Sequence, residues 1–265
     1  MININTSTKI SKEFQEKGYV IAKVKDLNKL RLFSNLVHKN LFKKNKIKNL
    51  NSKSYFDNLH KKINKKDLNA LRMKTIKSMS SNLKAKKIFF ELIDEYIYEL
   101  VGNELAMQKN LNLVIQMPKD KSSIIDLHAD TWGGNSPFEL VVWLPLVDCF
   151  KTKSMFILNR KKNKKHKLEK LIKNKKKVNS EEIFKKIEKD ITWLNVKYGE
   201  VVLFQPSLPH GGRVNLEKQT RVSINSRFKG LFTPYKDKKI GEYFEPINIK
   251  PCSKVGFDYL DEIVL

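Results

Sequence analysis

The chain has 265 residues, with 53 Lys plus Arg against 28 Asp plus Glu and a formal charge of +25. That length is enough for one sizeable core; no apolar run approaches the ~18 residues that cross a bilayer, and Cys149 and Cys252 suggest neither a zinc site nor a disulfide framework. The charge invites a nucleic-acid reading, but only six of the cations are Arg, the fork that base readers favour, and the abundance of Lys, Asn and Ile fits drift toward AT-rich codons better.

In chain order, residues 11–17 read as a helical turn ended by Gly18, and 19–24 alternate as a strand. Asp26 is placed to cap a helix over Leu27–Phe42, with Leu30, Phe33, Val37 and Leu41 among its apolar stripe. His38 on that helix is read as packing or surface. Residues 43–66 are Lys- and Asn-rich and read as loop or short helix, with His60 a poor ligand candidate. The apolar spacing over 83–101 predicts one helix stopped by Gly102. From residue 111 the texture changes to short strands between turn residues: 111–117, 123–127, 139–147, 155–158, 191–196, 201–205, 214–215 and 221–228. The expected fold is therefore mainly β with supporting helices (α+β): a double-stranded β-helix, or jelly roll, with N-terminal helices packed on one sheet. We expect one domain over 1–265, divided into a helical support region at 1–110 with one early strand, and a jelly-roll core at 111–265.

Within that core, His128 and Asp130 stand two apart after the expected strand 123–127, so period-two alternation would send both side chains one way. His210 follows 82 residues later, just past the strand 201–205. Two imidazoles and a carboxylate on one face of a metal leave the opposite positions open, the arrangement of non-haem Fe(II) oxygenases. Gly211 and Gly212 allow backbone to crowd close to such a site. Arg221, at the head of an alternating run, has the fork to clamp a carboxylate, and Ser223 shares its strand face.

These residues carry a resemblance. HADTWGGNSPFELVVWLPLVDC, SMFILN, GEVVLFQPSLPHGGRVN and TRVSINSRF, with FQEKGYVIAKVKDLNKLRLFSNLV near the start, are similar to the phytanoyl-CoA-dioxygenase-like branch of the Fe(II)/2-oxoglutarate-dependent oxygenases. Within it they look most like the type found in carbohydrate biosynthesis clusters and streptomycin-type pathways. The resemblance spans most of the chain except 41–66 and 160–190. It implies Fe(II) held by His128, Asp130 and His210, 2-oxoglutarate as co-substrate with its far carboxylate on Arg221 and Ser223, and dioxygen as oxidant. Trp143 matches an aromatic that the family places against the co-substrate, and Gln116 lies on the strand before His128, where it would face cofactor or substrate. Trp132, Asn135 and Ser136 are substrate-pocket candidates, and Arg213 and Arg227 are spare cations. Because Asp130 keeps the carboxylate that family halogenases lose, hydroxylation or a related oxidation is expected.

Residues 160–190 form an insertion with 13 Lys against five acidic residues, read as a solvated helical excursion or as a cationic lid attracting an anionic substrate over the barrel mouth. His166 within it is read as surface. The expected partner is a small molecule, anionic or sugar-linked; a non-catalytic metal-binding jelly roll and a nucleic-acid-directed oxygenase are the alternatives. MININTSTKI lacks the apolar core of a signal peptide, so a cytoplasmic location is expected, where iron would stay ferrous.

Overall fold

Local signals set the first elements. Thr8 Oγ1 accepts from the Ser11 amide to start α1 (Lys9–Lys17), and Gly18 closes it in the left-handed region at φ 80°, where a side chain would be strained. The chain then enters β1 (Tyr19–Lys23), and Asp26 caps α2 (Leu27–Phe42) by accepting from the Asn28 and Lys29 amides. The computed structural model describes residues 8–42, 52–174 and 179–264. Of the stretch 43–66, expected as loop or short helix, 43–51 lie outside the described residues. The rest holds the short α3 (Ser52–Asp57) and the start of α4 (Lys65–Ser81).

The single helix expected over 83–101 is two, α5 (Leu83–Glu91) and α6 (Asp94–Leu100), because Ile93 leaves helical geometry at φ −143°, ψ 5°. Strands β2 (Leu105–Gln108), β3 (Asn112–Gln116), β4 (Glu139–Pro145) and β5 (Phe156–Ile157) follow. The insertion supplies α7 (Arg160–His166), α8 (Leu168–Asn174) and α9 (Ser180–Ile187). After it come β6 (Thr192–Trp193), β7 (Glu200–Phe204), β8 (His210–Gly211), β9 (Arg221–Gly230), β10 (Phe244–Asn248) and α10 (Pro251–Val264).

Two of the expected strands are absent. Residues 123–127 are turn and irregular chain, since Ser122 and Ser123 spend their hydroxyls on the Asp120 carboxylate and fold the backbone locally. Residues 214–215 are likewise irregular: Asn215 bridges the carbonyls of Gln116 and Gln219 instead of continuing a ladder.

The strands form two antiparallel sheets: one of seven, in the order β1-β7-β4-β9-β2-β10 with β3 also on β9, and one of three, β6-β5-β8. Alternation divides β9 in two. Val222, Ile224 and Phe228 join a core with Phe33 and Phe89 from α2 and α5, the Phe89 and Phe228 rings stacked 6.4 Å apart. Arg221, Ser223, Asn225 and Arg227 take the other face. The N-terminal helices thus back the large sheet and leave its polar face free to build a site.

The insertion sits on the outer side of the small sheet. Leu168, Ile183 and Ile187 cluster with Phe156 and Leu158, whereas Ile157, between those two, belongs to the main core. The insertion is the expected helical excursion between two strands, here β5 and β6, with Ile183 and Ile187 of its apolar face buried in that cluster, and none of its described residues lines the cavity described next.

Candidate metal centre and adjoining cavity

His128, Asp130 and His210 converge, each offering one ligand atom, with those atoms within 4.8 Å of one another. The route differs from strand alternation. His128 and His210 form an isolated antiparallel bridge, His128 N donating to His210 O at 2.9 Å and His210 N to His128 O at 2.8 Å. Asp130 then opens a 3-10 turn, Asp130–Gly133, that swings its carboxylate back beneath the imidazoles. Close passage of the two segments depends on Gly211, where a Cβ would stand 3.0 Å from the backbone of Asp126 and Leu127.

Each ring has one nitrogen committed. His128 Nδ1 lies 2.8 Å from Asp126 O and His210 Nδ1 2.8 Å from Leu208 O. Carbonyls only accept, so these nitrogens carry the protons and both Nε2 atoms keep free lone pairs for a cation. Burial pushes His210 down to about 4, with the neighbouring His128 adding to the effect; its imidazole is neutral and ready to ligate near pH 7. For Asp130, burial alone would raise the carboxyl, but Arg227, His210 and His128 outweigh it and hold the group below the usual carboxylate range. Arg227 Nη2 donates to Asp130 Oδ1 at 2.6 Å and Nε to Oδ2 at 3.2 Å. Gln108 and Tyr243 accept from Nη1 of the same guanidinium at 3.0 and 3.2 Å. Arg227 is therefore no spare cation: it orients the Asp130 carboxylate.

A cavity of about 390 Å³ opens beside the triad and is lined by His128, His210, Trp143, Arg221 and Arg227, among others. Arg221 is 3% exposed, and burial lowers its pKa. Its Nη1 donates to Ser154 O at 2.7 Å, while its Nε is buried without a partner. No carboxylate pairs with it among the described residues. Gln116 faces Arg221 across the β3–β9 register and Ser223 lies two residues on; Gln116 Oε1, Ser223 Oγ and Ser154 Oγ are also buried and unpartnered. Gly212 leaves room here, for its Cβ would stand 3.7 Å from both Arg221 terminal nitrogens. A buried cation ringed by orphaned polar atoms is costly by itself and suits a carboxylate guest. Three nitrogen and oxygen ligands of borderline hardness suit a divalent first-row metal, so the chain's residues fit both groups.

The other candidates separate. Trp143 lines the cavity, whereas Gln116 turns Nε2 to Arg213 O at 2.5 Å. Trp132 packs in the cluster beneath the insertion, and Asn135 and Ser136 bind the buried Glu139 carboxylate, so none of these three lines the cavity. Arg213 pairs with Glu181 of α9 through two bonds of 2.5 and 3.1 Å. His38 lies among Phe42, Tyr55 and Phe56, His60 meets Thr220, and His166 meets Asp190, away from the triad. Sequence reasoning missed the contribution of α4, which brings Arg72, Met73 and Ile76 to the cavity wall.

No family model and no curated protein matches the sequence. Solved structures match its fold. A non-haem monooxygenase, the ThoJ–nickel complex, aligns at TM-score 0.59 and 12% identity over 91% of this chain and 84% of that one. The non-haem α-ketoglutarate-dependent carbocyclase SnoK from nogalamycin biosynthesis aligns at 0.56 and 13%, over 92% and 97%. HygX from Streptomyces hygroscopicus, with nickel and 2-oxoglutarate bound, aligns at 0.52 and 11%, over 92% and 98%. At such identities the likeness is one of fold: the chain is built on the scaffold of these non-haem enzymes.

Proposed function

We propose that the protein is a Fe(II)- and 2-oxoglutarate-dependent dioxygenase of the phytanoyl-CoA-dioxygenase-like, double-stranded β-helix type. Its reaction is hydroxylation or a related oxidation of a small polar, carbohydrate-related metabolite, as in surface polysaccharide or aminoglycoside-type biosynthesis. The observation that carries this reading is the coincidence, at one cavity, of the two imidazoles of a His-Asp-His cluster, with free Nε2 atoms, and a buried Arg221 lacking a counter-charge among the described residues.

In this reading His128, Asp130 and His210 hold the metal, and bound Fe(II), with 2-oxoglutarate and dioxygen, supplies the oxidising power that attacks a substrate C–H bond while the co-substrate leaves as succinate and carbon dioxide. The protein's part is positional. Arg221 grips the far carboxylate of the co-substrate, and Ser223 Oγ, unpartnered and on the same strand face, donates beside it. Trp143 walls the cavity against water, and Gln116 braces the Arg213 segment from the strand facing Arg221. Arg227 keeps Asp130 ionised and aimed. No aspartate is replaced at the triad, which supports oxidation over halogenation.

Anaerobic titration of the pure protein with Fe(II), with and without 2-oxoglutarate, tests this reading. A visible charge-transfer band needing both, followed by succinate release on admitting oxygen, is the expected result. Iron binding without co-substrate turnover would make the chain a metal-binding jelly roll, and absence of iron binding would sink both.

A further inference from the structure

Three guanidiniums reach the cavity, and their charges are handled differently. Arg227 is neutralised by Asp130. Arg221, on the reading above, belongs to the co-substrate. Arg72 projects from α4 and has no acidic partner among the described residues. Its Nη2 donates to Asn69 Oδ1 at 3.0 Å, one turn back on the same helix, and its Nε is buried with no partner. No Asp or Glu is among the residues lining the cavity. Asn110, Asn112 and Asn225 line the same cavity; Asn112 Nδ2 donates to Asn225 Oδ1 at 3.1 Å, a bond that does not use the Asn225 amide hydrogens.

A half-buried guanidinium without a counter-charge, sharing with three carboxamides a cavity lined by no carboxylate, matches an oxyanion. We infer that α4 carries a recognition site for an anionic group of the primary substrate, a carboxylate or a phosphoryl group, with Arg72 as its charged anchor and Asn110 and Asn225 as neighbouring polar contacts. This rests on the oxygenase reading for what the rest of the cavity holds. It moves the attraction for an anionic substrate from the lysines of the insertion, which packs on the outer side of the small sheet, to a single arginine inside the cavity.

The test compares matched probes on full-length protein loaded with Mn(II) and 2-oxoglutarate: glucose against glucose 6-phosphate and glucuronate, with inorganic phosphate alone as a fourth. Binding is read by thermal shift and by equilibrium dialysis. At least one anion should bind where glucose does not, and Arg72→Gln should weaken it about 10- to 100-fold, the worth of one charge-assisted contact, with Arg72→Lys intermediate. Phosphate, phosphate ester and uronate responses separate the two oxyanion chemistries. The melting temperature of Arg72→Gln without probe, and its response to 2-oxoglutarate, should match wild type, because Arg72 holds no ion pair in the fold. Failure of all three anions to bind overturns the inference, as does undiminished binding to Arg72→Gln. If Arg72→Gln instead loses its response to 2-oxoglutarate, Arg72 serves the co-substrate and the inference is wrong. A wild-type protein that ignores Mn(II) and 2-oxoglutarate yet binds the anions through Arg72 would refute the oxygenase reading alone.

Discussion

Replacing Arg221 with Met should separate stability from ligand response in opposite directions. The guanidinium is buried, donates to Ser154 O, and has no counter-ion among the described residues. An unpaired ion in such a place costs several kcal/mol, a desolvation cost that an apolar residue of similar size removes. Loss of the Ser154 contact costs about 1 kcal/mol. The ligand-free Arg221→Met variant should therefore unfold within about 1 kcal/mol of wild type, or above it. The bound state should behave differently, since removing one partner of a buried ion pair costs about 3–5 kcal/mol, or roughly 10²- to 10⁴-fold in affinity. At a co-substrate concentration about 100 times its dissociation constant, wild type gains about 2.7 kcal/mol. For a chain of this size that is about 5–10 °C in melting temperature, against about 1 °C for the variant. Differential scanning calorimetry with Mn(II) in place of iron measures both quantities. A variant that melts several degrees below wild type without ligand, yet keeps the full shift with 2-oxoglutarate, would refute the reasoning.

His210 makes the metal-free protein acid-sensitive. Its folded pKa of about 4 lies below the ordinary 6.5, so between those values the unfolded chain binds a proton that the folded chain refuses, and stability falls as pH falls. From about pH 7.5 to about pH 5 the loss should be about 2 kcal/mol, read from urea unfolding; a His210→Gln variant with the same slope would count against it. Gly211→Ala puts a Cβ 3.0 Å from the Asp126–Leu127 backbone, so metal affinity should drop along with about 1–3 kcal/mol of stability. Gly212→Ala, 3.7 Å from the Arg221 nitrogens, should keep stability and metal affinity and weaken 2-oxoglutarate binding; isothermal titration of both variants distinguishes the two effects.

The donor set was legible because it needs residue types in order, and because Gly211 and Gly212 announce close backbone approach. The path to it was less so. Spacing of two at His128 and Asp130 suggested a strand, whereas the serines after Asp120 turn the chain and a 3-10 turn delivers the carboxylate. Arg227 had a signal that went unused: six residues beyond Arg221 on an alternating strand, it must share that face. Helix α4 escaped notice because few of its residues are apolar and buried, Leu68 and Met79 among them, although Asn64 accepting from Lys66 N is an ordinary helix start. With α4 unread, Arg72 had no place in the site. The edge strand β10 and its neighbour β2 also went unread, since β10 presents an irregular burial pattern and β2 is buried at every position, leaving no alternation to detect.

The reciprocal backbone bridge between His128 and His210 has a consequence for how a metal ion would be acquired and lost on the proposed reading. Both imidazole-bearing segments are stapled together by amide hydrogen bonds that do not involve a metal, and the salt link from Arg227 fixes the third donor without one. Small zinc modules collapse when stripped because the ion itself closes their loops. Here the cage is finished beforehand, so a chelator should empty it reversibly and leave a folded shell that takes up fresh metal without refolding.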